Sequence, residues 1–65
     1  MIDYTERLFE EDEELKKKIE SLEEFILSQM FDVLGEVDKS DLREQLSCMQ
    51  SYLAVLYRRT SRICT

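Results

Sequence analysis

The sequence predicts an all-α fold: an antiparallel two-helix hairpin with coiled-coil-like packing that dimerises into a four-helix bundle. Three observations carry this expectation. The 65 residues include no Pro and one Gly, so little in the chain interrupts a helix. Apolar residues recur at alternating steps of three and four in two separate segments, the spacing of a coiled-coil seam. Strand-type alternation is missing.

The first helix is expected at about 4–29, where Leu8, Leu15, Ile19, Leu22 and Ile26 hold the seam. The rhythm breaks from Gln29 to Asp38, which sets a turn at about 30–36. Phe31, Leu34 and Val37 are expected to fold under that turn as an apolar plug. The second helix is expected at about 37–63 on Leu42, Leu46, Met49, Leu53, Leu56 and Ile63. Asp38 and Ser40 are candidate N-caps for it, and Gly35 with Asp38 three residues later is another possible start. Residues 1–65 then form a single domain.

A short connection makes the helices antiparallel. Ile26 with Leu42, Leu22 with Leu46, Ile19 with Met49 and Leu15 with Leu53 share one sum of residue numbers, so four apolar layers agree on one register. Extending it pairs Asp12 with Leu56, Leu8 with Thr60 and Thr5 with Ile63, a weaker seam where fraying is expected. Charge favours the same orientation. Glu6, Glu10, Glu11, Asp12, Glu13 and Glu14 load the start of the first helix; Arg58, Arg59 and Arg62 load the end of the second. Antiparallel packing sets the two groups side by side, and exposed pairs of this kind select orientation rather than hold a fold.

Several function classes are excluded. There is no His, hence no imidazole base, no Ser-His or Cys-His pair and no His-ligated metal. One Gly cannot build a phosphate-cradling loop. The sequence therefore predicts a non-enzyme without metal or cofactor. Its longest apolar run, residues 52–57, is far short of the roughly 20 residues needed to span a bilayer. Met1-Ile2-Asp3-Tyr4 lacks a signal-peptide pattern, so a cytoplasmic location is expected. Cys48 and Cys64 lie about 24 Å apart along one helix and cannot pair within a chain.

Apolar side chains beyond the seam point to association. Phe9, Phe25, Leu27, Tyr52, Val55 and Tyr57 flank it, and a lone hairpin leaves several of them in water. A homo-oligomer is expected, most simply two hairpins. Phe9, Phe25, Tyr52 and Tyr57 are candidate anchors for a protein partner, with the acidic face steering encounter. Tyr57, Arg58, Arg59 and Arg62 form a candidate anion site, because guanidinium forks and phenol rings bind phosphates and stack on bases, and residues 45–65 contain no acid. Residues 1–29 carry an excess of carboxylates and lie alongside, which argues for structural ion pairing and against duplex nucleic acid. Lys16, Lys17 and Lys18 each follow an acid by four residues and read as a self-neutralised helix face, with an anion-binding patch as the functional alternative.

The pattern Glu6-Arg7-Leu8, Glu14-Leu15, Lys18-Ile19, Leu22, Phe25-Ile26, Phe31, Leu34, Leu42, Gln45, Met49, Tyr52, Leu56 and an arginine-rich end resembles short helical-hairpin proteins of tailed phages and prophages. In size and hairpin form the chain is also similar to the Rop RNA-binding dimer, although the basic, aromatic RNA face of that protein has no counterpart here. Through Leu46, Met49, Gln50 and the terminal arginines, the second helix resembles the hairpin of phage sponge proteins that sequester cyclic-nucleotide defence signals. The phage resemblance implies an accessory protein, in the host cytoplasm, that inhibits a host or defence component by protein–protein interaction. The sponge resemblance implies the alternative, capture of a small phosphorylated signal such as a cyclic nucleotide by an oligomeric bundle. A structural assembly component is a third expectation.

Overall fold

The structure, a computed structural model, describes residues 4–64, with side chains described for 4–63. The chain is all-α, with helices α1 (Tyr4–Ile26), α2 (Gln29–Asp32) and α3 (Glu36–Cys64). The body measures 45 × 19 × 16 Å. At a rise of about 1.5 Å per residue, the 29 residues of α3 account for its long dimension.

The two long helices pack against each other through their seams. Leu8, Leu15 and Ile19 of α1 are buried with Leu56 of α3, and Leu46, Met49 and Leu53 pack against them. Leu56 is fully covered. Two polar residues occupy covered seam positions, each with a partner. Thr60 is buried and its hydroxyl donates to the Tyr57 carbonyl at 3.0 Å. The Asp12 carboxylate lies 2.8 Å from Lys16 Nζ, which returns to a largely covered acid the charge partner that its burial demands. Polar contacts link the start of α1 to the end of α3: Arg59 donates to the Tyr4 hydroxyl, and the Tyr52 hydroxyl donates to Glu11.

The connection is more structured than the sequence suggests. α1 ends at Ile26 rather than near 29 because Ser28 competes for its last carbonyls. The Ser28 hydroxyl donates to the Phe25 carbonyl at 2.6 Å, its N–H donates to the same oxygen at 3.0 Å, and its backbone turns extended at φ −86, ψ 163. One turn of helix, α2, then occupies the first part of the span expected as a turn. It buries Phe31, whose ring meets Phe25 edge-on at 6.3 Å and carries Arg43 and Lys39 over it at 5.2 and 5.8 Å. Leu34 is half-buried and its N–H donates to the Phe31 carbonyl at 3.1 Å, but Val37 is exposed and takes no part in the plug. The reason is helix phase: Val37 stands five residues before the seam residue Leu42 and falls on the outward side of the first turn. Lys39 N–H donates to the Gly35 carbonyl at 3.0 Å, so of the expected starts the ladder uses Gly35 rather than Asp38 or Ser40.

Candidate functional site

Packing one seam of α1 against one seam of α3 leaves two long flanks, and they differ chemically. On the first, Asp12 and Lys16 stand one turn apart on α1. Facing them, Gln50, Leu53, Ala54, Tyr57 and Arg58 follow helical spacing on α3. Together they line a groove of about 440 Å³, within the usual range of small-molecule sites. Leu53 and the small Ala54 leave room for it, and Tyr57 stands 68% exposed at its edge. Arg58 makes no hydrogen bond or ion pair among the described residues. The Lys16 ammonium is held above its ordinary pKa of 10.5, first by its hydrogen bond to Asp12 and then by that carboxylate's charge. The groove thus offers a ring face for stacking, an uncommitted guanidinium, a side-chain amide and an ammonium already paired with the Asp12 carboxylate.

The second flank carries Tyr4, Glu11, Tyr52 and Arg59, already engaged with one another. Arg59 also lies over the Tyr4 ring at 5.6 Å. The Tyr52 phenol is pushed above its ordinary value of 10.0, first by its hydrogen bond to Glu11, then by partial desolvation and the carboxylate charge. The Arg59 guanidinium is raised first by its hydrogen bond to Tyr4. Nearer the connection, this flank has a second groove of about 460 Å³ lined by Lys17, Lys18, Ser21, Leu22, Gln45 and Met49. It contains no aromatic ring.

The residues expected to bind an anion therefore separate. Tyr57 and Arg58 share the first groove, Arg59 is turned to Tyr4 on the other flank, and Arg62 stands exposed in the last turn of α3. The four aromatic anchors separate in the same way. Phe9 precedes Lys16 by one heptad and belongs with Tyr57; Phe25 follows Lys18, and Tyr52 follows Gln45, by one heptad on the opposite flank. The sequence places Lys16 only in a separate lysine run and Gln50 only in the sponge resemblance, and it does not join either to Tyr57 and Arg58. The signal available was position: Gln50 and Tyr57 stand a heptad apart, so they share a face.

Among the described residues there is no cluster of metal-ligand side chains, and no helix is long and apolar enough to cross a membrane. Cys48 is a free, exposed thiol, and the side chain of Cys64 lies outside the described residues. Compared with known families, residues 2–62 match the Sequestin family model. No curated protein and no solved structure matches the chain.

Proposed function

The chain belongs to the Sequestin family, and from that premise we propose that it is a non-enzymatic binding protein that sequesters a small phosphorylated ligand, a cyclic nucleotide being the expected type. The single observation that carries this reading is the groove on the first flank. Tyr57, Arg58, Lys16 and Gln50 converge there, and Arg58 is uncommitted. A base stacks on the Tyr57 ring, and its phosphate takes the paired N–H groups of Arg58 and the ammonium of Lys16. A protein with no imidazole binds such a ligand without a ready general base to turn it over. In this reading the protein is an antiparallel hairpin, a single domain that self-associates in the cytoplasm, and its phage role is to withhold a defence signal from its receptor. The order of the Tyr4–Arg59 and Glu11–Tyr52 contacts supports the antiparallel arrangement.

Inhibition of a host protein by direct contact is the second reading. It is favoured by Leu27, Met30 and Val33 around the connection, each at least 66% exposed. The first reading is better supported because the four aromatic anchors do not share one surface, whereas Tyr57 and Arg58 do.

Titration calorimetry with cyclic mono- and dinucleotides, and with inorganic phosphate as control, tests the proposal. Tyr57→Ala and Arg58→Glu are expected to weaken nucleotide binding by about tenfold or more with helicity unchanged, the scale of one lost charged contact. Arg59→Glu, on the other flank, leaves it within about threefold. Absence of binding by every nucleotide overturns this reading, as does an equal loss in all three variants.

A further inference from the structure

We propose that the second flank of α3 is the self-association face, on which a second copy of this chain docks with the two α3 helices antiparallel. The inference rests on the self-association within the reading above and names its surface and symmetry.

Area sets the requirement. The chain exposes 5186 Å². A compact protein of 7.8 kDa is expected to expose about 4,400 Å². The excess, roughly 800 Å², is what one partner contributes to a standard protein–protein interface.

Side-chain chemistry locates that excess. Beside the seam, Cys48, Tyr52 and Val55 follow steps of four and three on α3. Tyr52 and Val55 stay 40% and 37% exposed, with Ile63 at 37% farther along. These side chains are half-covered by their own hairpin, as expected where a second helix is to be received. The opposite flank of α3 is also partly apolar, with Leu53, Ala54 and Tyr57 beside Gln50 and Arg58, but that surface is given over to the ligand groove.

Charge fixes the direction. The apolar stripe continues in steps of three and four to Asp41 and Glu44 on one side and to Arg59 and Arg62 on the other. Acids thus end the stripe toward the start of α3 and arginines end it toward the finish. A single antiparallel register, centred between Ser51 and Tyr52, sets Glu44 against the partner's Arg59, Asp41 against the partner's Arg62 and Cys48 against the partner's Val55. A parallel pair sets like charges against like and is disfavoured. In a two-fold dimer each of these contacts occurs twice. The two ligand grooves stay on the outside, open to solvent.

Sedimentation of the full chain at micromolar concentration tests the face. The wild type is expected at twice 7.8 kDa. Glu44→Arg and Arg59→Glu are each expected to raise the dimer dissociation constant by about tenfold or more, since each places like charges opposite at two symmetric points. The double variant restores it to within about threefold. Circular dichroism checks that each variant stays helical. An independent measurement uses a Cys48→Ser, Cys64→Ser chain: Ser51→Cys, near the two-fold axis, gives a disulfide dimer on mild oxidation, and Ala54→Cys on the groove side does not. A wild type that sediments as a 7.8 kDa particle overturns the dimer altogether. A dimeric wild type with an unaffected Glu44→Arg variant, or a double variant that fails to recover, overturns this face alone.

Discussion

The hydroxyl of Tyr52 on α3 donates a hydrogen bond to the carboxylate of Glu11 on α1, and the same flank carries a second link in which Arg59 donates to Tyr4. The four residues interact beyond these two bonds, because the Arg59 charge bears on the Tyr52 phenol and favours its ionised form. Phenol hydroxyls therefore take part in tying the long helices together, beside the charge contacts that an acid-rich α1 next to an arginine-rich α3 end suggests. A phenol bridges the gap because it donates to a carboxylate on one contact and accepts from a guanidinium on the other.

That link makes stability depend on alkaline pH. The folded state raises the Tyr52 pKa above its ordinary value of 10.0, chiefly through the bond to Glu11. The neutral phenol is thus the form that folding favours. Its contribution is fully present below the unfolded pKa and is lost as pH rises through the folded one. Urea midpoints measured between pH ~8 and ~11 are expected to fall more steeply for the wild type than for Tyr52→Phe. Parallel curves for the two chains refute a role for this phenol in holding α1 to α3.

The start of α3 offers a place to add stability. Gly35 accepts the first ladder bond from Lys39, has no positive φ, and leaves nothing within 4 Å of where a Cβ would stand. An Asp there gains a side-chain acceptor for the exposed N–H groups of the first turn, and its charge suits the positive end of the helix. It also removes backbone freedom from the unfolded chain. Gly35→Asp is expected to stabilise by about 0.5–1 kcal/mol, a rise of about 3–6 °C in melting temperature for a domain this small. Gly35→Ala, which lacks the acceptor, gains less. Differential scanning calorimetry decides it: a lower melting point for the Asp variant than for the Ala variant contradicts Gly35 as the cap position.

What the sequence made legible follows the range of its signals. Leu8, Leu15, Ile19 and Leu56 repeat with the helix period, which places them on the seam, but the end expected to fray around Leu8, Leu56 and Thr60 is instead buried, Leu8 at 2% exposure. Periodicity says nothing about a serine hydroxyl that captures a carbonyl, so the end of α1 at Ile26 and the extra turn α2 were not legible. Val37 shows what counting apolar residues near a turn leaves out: five residues before the seam residue Leu42, it falls on the outer side of α3 rather than in the expected plug. In the groove, Tyr57 and Arg58 were recognisable by chemistry, whereas which lysine of the run at 16–18 stands beside them needed the packing of the two helices. Arg59 is adjacent to Arg58 in sequence, yet the 100° step per residue sends it to the other flank.

Phe31 lends itself to a direct measurement of what fixes the connection. Its buried ring has Arg43 at 5.2 Å and Lys39 at 5.8 Å, with Phe25 against its edge. Lys39 also lies 3.7 Å from Glu36, so its charge is shared, and Arg43 is the cleaner probe. Arg43→Gln keeps much of the side chain and removes the cation; Phe31→Leu keeps an apolar side chain and removes the ring. If the cation holds α2 onto α3, a double-mutant cycle on these two substitutions gives a coupling of about 0.5–1 kcal/mol in denaturant unfolding. The Phe31→Leu variant alone loses more, because a core aromatic also surrenders packing area. Coupling indistinguishable from zero means that burial alone seats the ring, with Arg43 merely passing over it.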